Sequence, residues 1–258
     1  ARYPMTSFMY LLTEGVHDVA FLGKLLTVCW TASRVETMEE LDEAPRAWMG
    51  AFKWPITGGD KTPIRRLAVP APLFYRLPAG TLVALRNAQG ISEIAKTLAV
   101  DLEAFKRIPS GPESIGIVLD SDDEPADQRF GKVRAILESV KLTPAAALGE
   151  VSDATPRVGV FALPEPGTAG TLEDVLLALG DVAYPDLTTA ARGYADQWRK
   201  KADGDPTGSD WKEIRKPAGA KKATIGAMTA ILKPGKSTQV SIVDNRWVSS
   251  ETKAVLGL

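Results

Sequence analysis

Phe8-Met9-Tyr10-Leu11-Leu12 is an unbroken apolar run, stopped by Thr13-Glu14-Gly15. A strand covered on both faces reads this way, because neither face meets water. The period then changes. Leu22, Leu25, Leu26 and Cys29 fall at i, i+3, i+4 and i+7, which is one face of a helix over 16–29. The chain therefore opens strand, tight turn, helix. Further strands are expected at 81–85, 115–119 and 158–163. The turn Asn87-Ala88-Gln89-Gly90 leads into a helix from 91. Asp120-Ser121-Asp122-Asp123 closes the third strand, and Pro125 suits the first turn of a helix whose face is Phe130, Val133, Leu137 and Val140. A loop at 167–170 precedes a helix over 171–179 that opens T-x-x-D, a capping-box pattern. From about Asp186 the pattern predicts helix 187–201, a polar loop 202–220, helix 222–232 and a short C-terminal strand or helix.

Strands alternating with helices predict an α/β fold, a mostly parallel sheet flanked by helices. Residues 51–80 interrupt the alternation with Pro55, Gly58, Gly59, Pro63, Pro70, Pro72, Pro78 and Gly80 between short apolar pieces. That pattern suits edge strands or an irregular hairpin. Its aromatics, Phe52, Trp54, Phe74 and Tyr75, are expected to cover the core. The acidic stretch 36–43 reads as a solvated helix face or loop. These readings divide the chain into an α/β core over 1–185, with a β-rich arm inserted at about 30–80, and a mainly helical extension over 186–258 packed on that core.

Charge narrows little: 31 basic against 32 acidic residues leave −1 over 258 residues, so a polyanionic partner must be held by a local patch. The scarce residues narrow more. With one cysteine, Cys29, and one histidine, His17, the chain excludes an internal disulfide and the usual Cys/His zinc sites. A Ser-His-Asp triad would have to use His17. Hard metals bound by carboxylates are the chemistry left open. No apolar run approaches the ~20 residues of a membrane span, and the expectation is a cytoplasmic protein with no membrane partner.

The acids are placed suggestively. Glu14 follows the first strand and Asp18 lies one helical turn on. Asp120 and Asp122 end the third strand, and Glu173 and Asp174 open the helix after the fourth. Ligands of open α/β sheets bind beyond the carboxyl ends of the strands, where these groups would converge. Clustered carboxylates repel one another unless a cation intervenes, and Mg²⁺ or Mn²⁺ is the natural counter-charge. Two such ions roughly 4 Å apart activate a water and stabilise a leaving oxygen. Each acid also has a plain structural use: Glu14 ends a strand, Asp18 faces solvent, and Asp122, Asp123, Glu173 and Asp174 favour helix N-termini.

Thr13-Glu14-Gly15-Val16-His17-Asp18 after an apolar strand resembles the first motif of Toprim domains. Ile117-Val118-Leu119-Asp120-Ser121-Asp122 resembles their second, Asp-x-Asp motif. Gly170-Thr171-Leu172-Glu173-Asp174 resembles the third acidic motif of OLD-family Toprim nucleases and of small stand-alone Toprim-like proteins. Lys222, with Lys221 its rival, matches their downstream lysine. The resemblance spans about 7–180. It implies a nuclease using Mg²⁺ or Mn²⁺, with two ions held by Glu14, Asp18, Asp120, Asp122 and Glu173. It further implies Glu14 as an acid or base and Lys222 meeting phosphate charge. Relatives often work beside an ATPase; this chain carries no ATP-binding motif, so such a partner would be a separate protein. The glycine that follows Asp-x-Asp in topoisomerases and primases is missing, since Asp123-Glu124-Pro125 stands there.

A nucleic acid, DNA or RNA, would be met by residues 198–222. Arg199, Lys200, Lys201, Lys216 and Lys221 stand there among other cations, with Trp198 and Trp211 interleaved. A solvated loop with inward-packed tryptophans accounts for the same residues equally well. His17 is read as shaping the turn, and Cys29 as core. Two other functions fit parts of the pattern. One is a non-catalytic Toprim-like scaffold. The other is a haloacid-dehalogenase-like phosphohydrolase with Asp120 as nucleophile, although Glu124 stands where that family has Thr or Val.

Overall fold

The computed structural model describes residues 8–50, 72–165 and 168–257. The expected strand run becomes β1 (Phe8–Thr13), followed by helix α1 (Val16–Cys29). The later parallel strands are β4 (Leu82–Asn87), β5 (Ser114–Asp120) and β6 (Arg157–Leu163). Two antiparallel strands, β2 (Ser33–Val35) and β3 (Leu73–Arg76), extend the sheet at one edge. The six strands run in the order β2-β3-β4-β1-β5-β6, with β1 parallel to both β4 and β5. The fold is α/β, a mostly parallel sheet with helices on both faces.

Both faces of the central strands β4, β1 and β5 are covered, which is why their sequences lack alternation, whereas the edge strand β6 alternates buried with more open positions. On one face Phe8, Tyr10 and Leu12 of β1 join Ile115, Ile117 and Leu119 of β5 beneath α2 (Glu43–Met49), α3 (Ile94–Phe105) and α4 (Ala126–Ser139). Trp48 of α2 is 1% exposed and meets Phe8, Tyr10, Phe74 and Phe105 at ring-centroid distances of 4.9–6.2 Å. Stretch 36–43, read as solvated, thus leads into a helix that plugs the core. Phe74 and Tyr75 are buried as expected, while Phe52 and Trp54 lie outside the described residues. Tyr10 Oη donates to Asp101 Oδ2 at 2.6 Å, and Arg86 Nε stands 3.3 Å from the same oxygen.

On the other face α1 and α5 (Leu172–Ala183) cover β1, β5 and β6. The rest of the chain wraps over them: α6 (Pro185–Asp203), α7 (Lys212–Arg215), α8 (Gly219–Leu232), α9 (Thr238–Asp244) and α10 (Thr252–Leu256). The polar loop expected at 202–220 is interrupted by α7, and the C-terminal segment is helical. Trp247 seals this layer against Tyr184 at 5.9 Å, its indole N–H donating to Ser241 Oγ at 2.9 Å.

Candidate functional site

The parallel strands end at one edge of the sheet, and the segments that leave β1, β5 and β6 carry the acids. Glu14 follows β1 directly, and its carbonyl accepts the N–H of Gly90 at 2.8 Å from the loop after β4. Asp18 turns back to accept the N–H of Gly15 at 2.7 Å, closing the first turn of α1. It is buried, contrary to the solvent-facing alternative. Asp120 ends β5, and its Oδ1 accepts the N–H of Leu172 at 2.7 Å. That carboxylate therefore sits at the positive N-terminus of α5. The T-x-x-D box forms as expected, with Thr171 N–H donating to Asp174 Oδ2 at 2.9 Å.

Asp122 adopts a left-handed φ of 52°, fixed by a paired bridge to Gly170: each residue's N–H donates to the other's carbonyl, at 2.8 and 2.9 Å. Gly170 has φ 148°, and a Cβ there would stand 2.8 Å from Asp174 Oδ2 and 2.9 Å from Pro164 Cδ. Only glycine fits. This bridge joins the Asp-x-Asp loop to the acidic start of α5, so motifs some fifty residues apart in sequence share one rim.

The electrostatics follow from this crowding. Burial, then the charges of Asp18, Glu173 and Glu14, push Asp120 up to about 8. Burial, then Glu14 and Glu173, push Asp18 up to about 7. Burial raises Glu14 as well, against the lowering effect of Arg129. His17 is lowered by burial, with Glu173 opposing and Lys222 reinforcing that shift, so the helix α8 lysine borders the acids.

Arg129 is the site residue that sequence reasoning missed. It lies on the first turn of α4 and is 6% exposed. Its Nε donates to the Asp120 carbonyl at 3.0 Å; its Nη2 lies 2.7 Å from Asp122 Oδ2 and 3.3 Å from Glu14 Oε2. The donor set here is hard oxygen and fits Mg²⁺ or Mn²⁺ in chemistry. Among the described residues, however, no three His, Cys, Asp or Glu side chains are already arranged as ligands.

The two lysines separate. Lys221 pairs with Asp174 at 2.7 Å, bolting α8 to the start of α5, whereas Lys222 is exposed. Several of the expected nucleic-acid contacts are also committed within the fold. Arg199 pairs with Asp203 at 2.9 Å and donates to the carbonyls of Ile214 and Lys216; Lys216 pairs with Glu213 at 2.6 Å. Lys200 and Lys201 are exposed, with Lys201 Nζ lying 4.8 Å from the Trp198 ring centroid. Trp198 and Trp211 stack on each other at 5.7 Å and are half-buried. Cys29 is partly buried against the helical layer. Among the described residues no helix is long and apolar enough to cross a membrane.

The chain is similar in fold to a hypothetical protein from Pyrococcus horikoshii OT3 whose crystal structure covers 98% of it. The match takes in 96% of that chain, at 17% identity and a TM-score of 0.50. No curated protein matches. The model of the family described as "Protein of unknown function (DUF3226)" matches residues 9–256, from β1 through α10, and the chain belongs to that family.

Proposed function

We propose that the chain is a Toprim-type nuclease that hydrolyses phosphodiester bonds of DNA or RNA with Mg²⁺ or Mn²⁺. Glu14, Asp18, Asp120, Asp122 and Glu173 would hold the metal. The observation that carries this reading is the gathering of acids at the carboxyl edge of the sheet, where burial first and neighbouring carboxylates second push Asp120 up to about 8 and Asp18 up to about 7. Carboxylates so placed resist ionising together, and a hard divalent cation removes the penalty. When bound, such ions polarise a phosphate oxygen and lower the pKa of water.

The chain's own residues supply the rest. Glu14, raised by burial against the lowering effect of Arg129, would take or give a proton in this reading. Lys222 presents a positive charge at the rim, where phosphate charge grows in the transition state. Lys200 and Lys201 hold the nucleic-acid backbone, and the Trp198–Trp211 stack gives it an aromatic border. With Arg199, Lys216 and Lys221 engaged internally, these three act by keeping the α6–α8 layer in place.

One observation favours a second reading. Arg129 already neutralises Glu14 and Asp122, as suits a Toprim-like scaffold or an enzyme switched on by a partner such as a separate ATPase. Purified protein incubated with supercoiled plasmid, linear duplex, single-stranded DNA and RNA, with Mg²⁺, Mn²⁺ or EDTA, decides between them. The nuclease reading expects metal-dependent cutting that Glu14→Ala and Asp120→Ala each abolish while remaining folded. Metal binding with no cutting of any substrate favours the scaffold, and cutting that persists in both variants removes this site from the chemistry.

A further inference from the structure

We propose that Arg129 is a displaceable internal counter-cation, whose guanidinium occupies the Glu14–Asp122 carboxylate pair and competes with a divalent cation for it. The inference concerns how the site is regulated, and it rests on the metal-site reading above.

The geometry is asymmetric in a telling way. Arg129 is buried at 7% side-chain exposure, yet the carboxylates it bridges remain open, Glu14 at 25% and Asp122 at 48%. The guanidinium therefore stands behind the acids, while a cation from solvent would approach from in front. A single nitrogen, Nη2, serves both acids, at 2.7 Å to Asp122 and 3.3 Å to Glu14. Nε is bound separately, to the Asp120 carbonyl at 3.0 Å. The contact that must be surrendered is thus distinct from the one that anchors the side chain, so the Nη2 fork can release the acids without Arg129 leaving its place on α4.

Charge sets the direction of the effect. Two carboxylates with the guanidinium in place present a net single negative charge; without it they present two. A divalent cation is attracted more strongly to the second arrangement, and it is also spared repulsion from a cation a few ångströms away. A structural arginine that merely oriented the ligands would act in the opposite sense, since losing it would scatter the acids and weaken metal binding. The same residue offsets the repulsion between Glu14 and Asp122, and the two acids in turn pair its own buried charge.

The test uses the full chain as wild type and Arg129→Gln, with Mn²⁺ as the probe. Free Mn²⁺ is counted by electron paramagnetic resonance, and the thermal midpoint is followed as Mn²⁺ is added. The expected result is that R129Q binds Mn²⁺ about fivefold or more tightly than wild type, the low end of the usual range for one group's effect on another's binding. Its midpoint should be below wild type in EDTA and should rise further with Mn²⁺. Equal or weaker Mn²⁺ binding by folded R129Q overturns the proposal while leaving the metal site standing. No Mn²⁺ binding by either protein overturns the metal-site reading and this proposal with it. Should R129Q not fold in EDTA, Arg129→Met, of similar reach and without charge, makes the same comparison. If neither folds in EDTA, recovery of structure on adding Mn²⁺ supports the counter-cation role, and failure to recover overturns it.

Discussion

Asp120→Asn isolates the electrostatic cost concentrated at the sheet edge. The amide keeps an oxygen that can accept the Leu172 N–H, now 2.7 Å from Asp120 Oδ1, but it carries no charge to be repelled by Asp18, Glu173 and Glu14. Asp120 rises from an ordinary 3.8 to about 8 in the folded chain. The folded state therefore holds a proton that the unfolded state has released, and the metal-free protein loses stability as pH rises from about 4 to about 8. Each pKa unit is worth about 1.4 kcal/mol, so the three units between pH 5 and 8 set a ceiling of about 4 kcal/mol. Rearrangement and water entry on ionisation relieve part of this, leaving about 2 kcal/mol. Urea unfolding in EDTA at pH 5 and 8.5 measures it. Wild type should lose about 2 kcal/mol more than D120N between the two conditions. Saturating Mg²⁺ should shrink the difference under the proposed function, because the cation stabilises the ionised form. If wild type and D120N fall in parallel between pH 5 and 8.5, the argument from burial and crowding of Asp120 is wrong.

Two further perturbations address the core and the helical layer. Tyr10→Phe removes one donor to buried Asp101 and leaves that carboxylate to Arg86 and Trp48, a loss of about 2 kcal/mol by urea unfolding at pH 7; a change below about 0.5 kcal/mol would mean the hydroxyl bond contributes nothing net. Lys221→Met should lower the thermal midpoint by breaking the pair with Asp174, whereas Lys222→Met should leave the midpoint unchanged and depress cleavage. The converse pattern would exchange the roles assigned to the two lysines.

The central parallel strands were legible because both of their faces are covered, so β1 and β5 appear as dense apolar runs ending at polar breaks; β6, at the edge, was legible as an apolar run although Phe161 is exposed. In the inserted region the expected edge strand forms as β3, but β2 and the helix α2 were not read, for a different reason. β2 has three residues and α2 has seven, too few for either period to repeat. Trp48 is central to one core only because α2, β3 and α3 converge on it from distant parts of the chain. The same limit applies to α7, whose four residues lie inside what reads as a polar loop.

The acids of the candidate site were legible for a related reason: a carboxylate directly after an apolar strand marks where the chain leaves the sheet. The basic partner was not, because an arginine on an amphipathic helix usually points to water. α4 nevertheless carried a usable signal. Arg129 stands four residues before Val133 and eight before Leu137, both fully buried, so it continues their stripe toward the sheet's carboxyl edge. Lys132 and Arg134 fall off that stripe and are exposed. A guanidinium on a buried stripe must find anionic partners, since an unpaired buried charge costs several kcal/mol. The stripe's first turn follows directly on the Asp-x-Asp loop, and the nearest anions are those of that loop and of the neighbouring strand end. The position of one cation in a helical period thus specifies which acids it meets, and those are Asp122 and Glu14.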